Sequence, residues 1–233
     1  MLNPELNIDL LRLTYQQDHR VRINDFLAPS KAIEIEKCLR EVLDFDLIFF
    51  NQGQNYVMSE SDMSSLGSNG RQRLQQELAQ LASEGIGFLY SGYRMGGDKL
   101  GAAPPILAEL FDFVNSDQVL DLMHSITDIE GIRCASGQYT RYTAGQYLTR
   151  HSDDVQQEGR LIAYILNFTQ KWHPDWGGLL QFYEKSGVPR DAWEPRFNSV
   201  SLFDVQHIHS VTYVTPHALS PRYALTGWFQ SKE

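Results

Sequence analysis

A histidine and an aspartate stand two residues apart, as His151 and Asp153, in the stretch TRHSDD, which follows a run rich in tyrosine and glycine. Side chains at positions i and i+2 of an extended segment point to the same side, so both could bind one metal ion. Two imidazoles and one carboxylate on one face of the metal are the ligands of non-haem iron(II) sites for oxygen chemistry. The pair therefore predicts a metal site that still needs a histidine from a distant strand.

Of the seven histidines, only three follow the strand series far enough to return to the first strand: His207, His209 and His217. Residue parity puts His207 and His209 on the same strand face and does not choose between them. The downstream pattern favours His209, because a turn after its strand leads to Arg222 at the start of the next strand. We expect the remaining histidines to be packed or surface residues: His19, His124, His173 and His217.

Arg222 and Thr226 share one face of the strand RYALTGWFQ. A guanidinium on an inward strand face is costly to bury without a partner. A dicarboxylate co-substrate would satisfy it with two parallel hydrogen bonds, and Thr226 could add a hydroxyl donor.

The character of the chain changes near residue 131. Helical apolar stripes dominate before it, and a series of short strands rich in β-branched and aromatic residues follows it. This pattern predicts an α+β fold with a mainly β core, a jelly roll with a helical layer packed on one sheet. We expect a helix-rich part at 1–130 and a β core at 131–233, in one structural unit. The polar stretch 51–70 is predicted to be a loop, either a substrate lid or plain surface.

Composition narrows the class of protein. The chain has 233 residues, 42% of them hydrophobic, enough for a sizeable core, and a net charge of −9, which argues against a nucleic-acid partner. The same acidic balance favours a basic partner. Cys38 and Cys134 form neither a zinc-binding pattern nor a disulfide framework. With no signal-peptide pattern at the start and no apolar run of membrane-spanning length, we expect a cytoplasmic protein without a membrane partner.

Four stretches together carry a family resemblance: YTAGQYLTRHSDD, RLIAYILNF, WGGLLQFY and HSVTYV followed by RYALTGWF. They resemble the iron(II)- and 2-oxoglutarate-dependent dioxygenases. More narrowly, they resemble the prolyl hydroxylase branch, with its ribosomal-protein, oxygen-sensing and bacterial members. The likeness covers roughly residues 131 to 231 and implies a double-stranded β-helix fold.

The resemblance also implies roles for particular residues. His151, Asp153 and His209 match the iron ligands, Arg222 matches the residue that binds the distal carboxylate of 2-oxoglutarate, and Tyr142 matches a tyrosine lining that pocket. Fe(II) would be the cofactor, 2-oxoglutarate and O₂ the co-substrates, and ascorbate an optional reductant. The implied reaction is hydroxylation of an unactivated C–H bond, first of all in a prolyl residue of a protein or peptide substrate such as a translation component.

One position departs from the family pattern. The oxygen-sensing enzymes have a second tyrosine in the strand after His-x-Asp, where this chain has Ile165, with Tyr164 one place earlier. A one-residue shift reverses the side-chain face, so Tyr164 is expected to point away, with Thr226 or Tyr142 as substitutes. Two alternatives stay open: a hydroxylase of a free amino acid or other small molecule, and a cupin-like metal-binding protein that is not an oxygenase. Arg222 argues against the cupin-like alternative, because a metal-binding protein of that kind, such as a zinc hydrolase, needs no buried anchor for a dicarboxylate.

Overall fold

The computed structural model describes residues 1–96 and 102–232. Within these ranges the α-helices are α1 (Ile8–Asp18), α2 (Pro29–Glu41), α3 (Glu60–Ser65), α4 (Gly67–Ser83), α5 (Pro105–Val114) and α6 (Asp117–Thr127). The strands of the first half are β1 (Arg20–Ile23), β2 (Asp46–Asn51), β3 (Gln54–Met58) and β4 (Phe88–Met95). Those of the second half are β5 (Cys134–Ala135), β6 (Gly137–Tyr142), β7 (Tyr147–His151), β8 (Arg160–Asn167), β9 (Leu180–Tyr183), β10 (Pro189–Trp193), β11 (Ser199–Asp204), β12 (His209–Val211) and β13 (Arg222–Gln230).

The longer helices bury one face and begin at residues suited to helix starts. In α2, Pro29 occupies the first turn, where its missing N–H costs nothing, and the buried side chains of Ala32, Ile35 and Leu39 follow at helical spacing. In α6, Ser116 stands at the N-cap position as its type suggests, but its hydroxyl donates to the Phe113 carbonyl instead of accepting from the first turn. These helices are therefore held mainly by the apolar faces that they pack on the sheet.

The strands pair antiparallel in one sheet whose main path runs β1-β11-β8-β13-β6-β4-β7-β12-β9-β10. Strand β4 makes the bend, because Ser91–Met95 pair with β6 while Phe88 and Leu89 pair with β7. The sheet therefore curls into a half-barrel, which confirms the predicted jelly-roll fold.

The core lies on both faces of this curled sheet. Apolar side chains of α1, α2, α5 and α6 pack on the outer face of the sheet, against strands β6, β8 and β13. The strand residues in this cluster include Tyr139, Tyr164, Leu166 and Leu225. Smaller clusters fill the inside of the half-barrel, one around Phe182 and another around Tyr142 and Val211. The helical layer expected from the sequence is thus present on one face of the sheet. In the described parts of the chain, no helix is long and apolar enough to cross a membrane.

The prediction of a loop at 51–70 is wrong. After a tight turn with positive φ at Gln52 and Gly53, β3 completes a hairpin with β2. A reciprocal cap between Ser59 and Asp62 then starts α3, and α4 begins at Gly67. The stretch is polar because its elements are exposed on the surface, not because it lacks regular structure.

Candidate metal centre and co-substrate pocket

The structure brings His151, Asp153 and His209 together although the two histidines are 58 residues apart in the chain. Their register explains this, because His209 in β12 is the direct cross-strand partner of His151 in β7. Nε2 of His151 lies 3.5 Å from Oδ1 of Asp153, and Nε2 of His209 lies 3.5 Å from Oδ2 of the same carboxylate. One potential ligand atom from each residue lies within 4.8 Å of the others, which is the spacing that a single metal ion requires.

The orientation of both imidazoles fits metal binding. Nδ1 of His151 lies 2.9 Å from the carbonyl oxygen of Thr149, and Nδ1 of His209 lies 3.0 Å from that of His207. A carbonyl can only accept, so Nδ1 of each ring carries the proton and donates, which leaves the lone pair on Nε2. Both Nε2 atoms face the Asp153 carboxylate, so the donor set of the cluster is two neutral imidazoles and a carboxylate, as Fe(II) prefers.

The pKa shifts of His209 and Asp153 agree with this donor set. Burial and then the neighbouring His151 lower the pKa of His209 to about 4, so its ring is neutral at pH 7. Burial works against ionisation of Asp153, but His151, His209 and the Trp228 indole outweigh it and lower the pKa of the carboxyl. For His151, contact with Asp153 outweighs burial and raises the pKa. A bound cation would take over the role of that proton between the two side chains.

Arg222 is buried at the deep end of the same cavity, opposite Tyr142 in the register of β13 and β6. Its Nη1 donates to the Gly178 carbonyl oxygen over 2.7 Å, while its buried Nε has no hydrogen-bond partner. Burial lowers the pKa of Arg222 to about 10, so the guanidinium is still charged at neutral pH. A buried cation with an unused donor is what a dicarboxylate would satisfy, and the site fits 2-oxoglutarate in this respect.

The cross-strand register orders the other predicted co-substrate residues by depth. Tyr142 lies beside Arg222, whose guanidinium carbon is 5.5 Å from the tyrosine ring centre. Thr226 is four residues along β13, roughly 13 Å from Arg222 by strand geometry and less buried than it, between Gln138 of β6 and Ile165 of β8. All three candidates line the one cavity, at two different depths.

Tyr164 faces away from the co-substrate end. Its hydroxyl donates to the Ser136 carbonyl over 3.0 Å, and its ring packs in the core beneath the helices. Ile165 instead packs with the cluster inside the half-barrel. The reversal of faces expected from the one-residue shift is therefore what the structure has.

Sequence reasoning missed several residues of the site. Gly178 supplies the carbonyl for Arg222, and a Cβ on neighbouring Gly177 would lie 2.0 Å from the Tyr213 carbonyl oxygen, so the Gly-Gly pair permits a close chain approach. Tyr90 of β4 stacks on Tyr142 with ring centres 5.5 Å apart. The Gly-Gly pair was visible in the sequence, but nothing there pointed from Tyr90 to Tyr142.

Two further side chains cover the carboxylate ligand. The Arg160 guanidinium lies 3.5 Å above the Trp228 ring, and its Nη1 is 3.9 Å from Oδ1 of Asp153. His207, by contrast, turns its Nε2 to the Asp18 carbonyl over 2.8 Å, and only its backbone oxygen serves the site, by holding His209.

The cavity that holds these residues has a volume of about 990 Å³. Aromatic side chains, among them Phe50, Phe88 and Trp228, form part of its wall. The space is large for a five-carbon dicarboxylate and leaves room for a second, larger substrate.

Comparison with known proteins agrees with the fold and the site. Residues 137–230 match the model of the 2OG-Fe(II) oxygenase superfamily, and this segment contains all three potential metal ligands and Arg222. The resemblance seen in the sequence is thereby confirmed, and the superfamily implies Fe(II) and 2-oxoglutarate together with O₂.

More particular relatives are prolyl hydroxylases. Prolyl 3-hydroxylase OGFOD1 of Xenopus laevis is 31% identical over 119 residues, a match that covers 46% of this chain and 22% of that protein. A Pseudomonas putida prolyl-4-hydroxylase has a similar fold, with a TM-score of 0.62 at 16% identity over 97% of this chain and 100% of that one. A Trichoplax adhaerens prolyl hydroxylase, solved with a peptide fragment of a hypoxia-inducible factor, gives 0.62 at 18% identity over 96% of this chain and 89% of that one.

Proposed function

We propose that this protein is an Fe(II)- and 2-oxoglutarate-dependent dioxygenase that hydroxylates a prolyl residue in a protein substrate. One observation carries the proposal. The His151, Asp153 and His209 cluster shares a cavity with Arg222, a buried charged guanidinium whose Nε has no hydrogen-bond partner. A metal site alone would suit a cupin-like hydrolase or binding protein, but such a protein would gain nothing from an unsatisfied cation at the bottom of the cavity.

In this proposal each side chain has a separate task. His151, Asp153 and His209 would hold Fe(II), and the carbonyls of Thr149 and His207 keep both imidazoles in the metal-binding tautomer. When bound, Fe(II) with 2-oxoglutarate and O₂ supplies an oxidant able to hydroxylate an unactivated C–H bond, with succinate and CO₂ as co-products. The chain's remaining residues position the reactants and limit the access of water.

Arg222 would hold the distal carboxylate of 2-oxoglutarate. Its Nη1 is already fixed by Gly178, so the remaining N–H groups are oriented before the co-substrate arrives. Tyr142 remains protonated, because burial raises the pKa of its phenol, and it can therefore donate a second hydrogen bond to the same carboxylate. Thr226 lies farther along β13 from Arg222 and is better placed to contact the reactive end of the co-substrate.

A prolyl substrate is favoured over a free amino acid. The relatives named above are prolyl hydroxylases, and one of them was solved with a peptide bound. The cavity of about 990 Å³ also exceeds what 2-oxoglutarate and one free amino acid would fill. The relatives include a prolyl 3-hydroxylase and a prolyl-4-hydroxylase. Analysis of the hydroxylated product would determine which ring carbon this protein oxidises.

The test is an anaerobic titration of the purified protein with Fe(II) and then 2-oxoglutarate, followed by visible absorbance. We expect a metal-to-ligand charge-transfer band that requires both additions. Arg222→Gln should retain iron but require at least tenfold more 2-oxoglutarate, because a charged hydrogen bond in a buried site contributes roughly 1.5–3 kcal/mol.

Exposed His173 provides the matched control for loss of a histidine. His173→Ala should leave the band unchanged, whereas His209→Ala should abolish iron binding. A band of equal strength in His209→Ala, or an unaltered 2-oxoglutarate requirement in Arg222→Gln, would contradict the proposal. Proline-containing peptides are then incubated with O₂, with and without ascorbate, and examined by mass spectrometry for the gain of one oxygen atom.

A further inference from the structure

Strand β7 has one residue more than strand β12 between two pairs of facing residues. These pairs are His151 with His209 and Leu148 with Val211. Thr149 and Arg150 of β7 therefore share a single partner position, which Ser210 of β12 occupies. An extra residue in one strand of an antiparallel pair is a β-bulge, and it changes the direction of the side chains that follow. The bulge in β7 lies directly before the potential ligand His151.

This bulge turns His151 toward the other potential ligands. Side chains three residues apart on a regular strand point to opposite faces. Leu148 packs with Tyr142 and Val211 inside the half-barrel. His151 follows three residues later, yet its ring also faces the inside, where Nε2 lies 3.5 Å from Oδ1 of Asp153. Without the extra residue His151 would point to the outer face of the sheet, so the metal cluster depends on the bulge.

Thr149 joins the bulge to strand β4. Its backbone N–H and its hydroxyl both donate to the Gly87 carbonyl oxygen, over 3.1 Å and 2.7 Å. The bulge locally disrupts the ladder between β7 and β12, so these two bonds to the other neighbouring strand hold the residue in place. The carbonyl oxygen of Thr149 in turn lies 2.9 Å from Nδ1 of His151. The position of Thr149 therefore sets where the imidazole is held.

Arg150, the second residue of the bulge, is held on the outer face of the sheet. Its Nη1 donates to the Gly187 carbonyl over 3.2 Å, and its guanidinium carbon lies 5.5 Å from the Tyr183 ring centre. The Tyr183 hydroxyl lies 2.9 Å from Oγ of Ser210, the residue opposite the bulge. These contacts keep the Arg150 side chain away from the metal cluster, and Thr149 is the bulged residue that contacts the His151 ring.

Gly87 has a backbone conformation that suits its contact with Thr149. Its φ is +90°, which L-residues rarely adopt, and its carbonyl oxygen accepts both donors of Thr149. The atoms nearest to a Cβ at this position would belong to Phe50, at 3.5 Å, which is an ordinary van der Waals contact. Alanine at Gly87 would therefore strain the backbone, and with it the direction of the shared carbonyl, without a steric clash.

We propose that Thr149 is a positioning residue of the metal centre. Its hydroxyl, bonded to the Gly87 carbonyl, holds the bulge in shape and thereby keeps the imidazole of His151 in its metal-binding orientation. This inference rests on the proposed function, which gives His151 the role of a ligand, and adds a residue that would bind neither metal nor co-substrate. Loss of the groups that orient a metal-bound histidine typically lowers metal affinity roughly 10- to 100-fold.

The probe is Co(II) alone, added to the purified protein without 2-oxoglutarate. Co(II) binds the same nitrogen and oxygen ligands as Fe(II), and its visible absorption bands depend on the geometry of those ligands. Thr149→Val keeps the branched side chain and removes the hydroxyl, whereas Thr149→Ser keeps the hydroxyl. We expect Thr149→Val to bind Co(II) about tenfold more weakly and with shifted bands, and Thr149→Ser to match the wild type.

Matched variants separate positioning from a general loss of stability. Thr127→Val removes a buried hydroxyl that donates to the Met123 carbonyl over 2.8 Å in α6, in the helical layer. Both valine variants should lower the Tm by about 2–4 °C, but only Thr149→Val should change Co(II) binding. Gly87→Ala should reproduce that change from the acceptor side. Gly131→Ala, at a φ of +84° between α6 and β5, imposes similar backbone strain and should leave Co(II) binding unchanged.

Co(II) affinity and bands that stay at the wild-type values in Thr149→Val overturn the inference, and so does an equal change in Thr127→Val. A Thr149→Ser variant that behaves like Thr149→Val also overturns it, because the hydroxyl would then not be the cause. The proposed function fails separately. Co(II) binding with the expected dependence on Thr149, but no charge-transfer band with Fe(II) and 2-oxoglutarate, would refute the oxygenase and not the positioning residue.

Discussion

At the scale of single residues, Tyr142 and Tyr164 show that the direction of a buried hydroxyl decides its role. Tyr142 lies beside Arg222, and its raised pKa keeps the hydroxyl protonated as a donor. Tyr164 is equally buried, but its hydroxyl serves the Ser136 carbonyl. Both line the cavity, and the direction of the hydroxyl separates the proposed co-substrate contact of Tyr142 from the structural role of Tyr164.

We therefore expect opposite consequences from the two matched substitutions. Tyr142→Phe should raise the KM for 2-oxoglutarate about tenfold with little loss of stability, because a hydrogen bond to a charged group contributes roughly 1.5–3 kcal/mol. Tyr164→Phe should leave that KM unchanged and lower the free energy of unfolding by about 1 kcal/mol, since it removes a buried hydrogen bond to a carbonyl. Steady-state kinetics and urea unfolding of both variants check this pair. A raised KM in Tyr164→Phe would mean that its ring turns into the pocket.

At the scale of elements, the position of β13 depends on Gly227. A Cβ at this residue would lie 1.9 Å from the Ser136 carbonyl oxygen, because the segment that joins β5 to β6 lies close against β13, with which both strands pair. The same close contact is fixed by the Ser136 N–H, which donates to the Trp228 carbonyl over 3.0 Å. Thr226 and Trp228 flank Gly227 and both line the cavity, so the geometry of the site depends on this contact.

Gly227→Ala is expected to force the two segments apart and to destabilise the fold by about 2 kcal/mol or more, as overpacking of a tight contact does. For a chain of this size the loss corresponds to a fall in Tm of roughly 6 °C. Gly96→Ala is the control, since a Cβ there meets no atom of the described residues within 4 Å, and its Tm should not move. If calorimetry finds the two variants equally stable, the close contact with Ser136 does not constrain β13.

The elements themselves were largely readable from the sequence, because hydrophobic periodicity is a local property. The helices around Ile35 and Leu107 and the strands after residue 131 follow their patterns. Which strands pair is not local: β1 joins β11, and β4 joins both β6 and β7, and no pattern within those strands names the partner. The stretch 51–70 was misread for a related reason, since its polar composition hid elements that are simply exposed.

The residues of the candidate site also differ in how far the sequence alone indicates them. His151, Asp153, His209 and Arg222 could be proposed from the sequence, because their residue types and spacing limit the chemistry that they can perform. The roles of Gly178 and Tyr90 could not be proposed in this way. Gly178 contacts Arg222 through its backbone carbonyl, and Tyr90 contacts Tyr142 by ring stacking. Both contacts join segments tens of residues apart, and neither requires a particular local sequence pattern. What sequence reasoning lacks is the support around the reacting groups, which only the folded chain assembles.

At the scale of the whole molecule, the candidate centre joins parts of the chain that are distant in sequence. His151 is on β7, His209 on β12 and Arg222 on β13, while Tyr90 comes from β4 in the first half. These segments place a buried cation and a cluster of polar side chains between them. Binding at this centre should therefore stabilise the entire fold and not only the loops around it.

Anaerobic addition of Fe(II) and 2-oxoglutarate is expected to raise the Tm of the protein. At about a hundredfold excess over Kd, the expected gain in the free energy of unfolding is about 2.7 kcal/mol, or roughly 8 °C for a chain of this length. Asp153→Ala should lose this gain, because it removes the carboxylate that both imidazoles face, whereas His173→Ala should retain it. Scanning calorimetry under nitrogen measures the shift, and an equal rise in Asp153→Ala would mean that the stabilising ion binds elsewhere on this acidic protein.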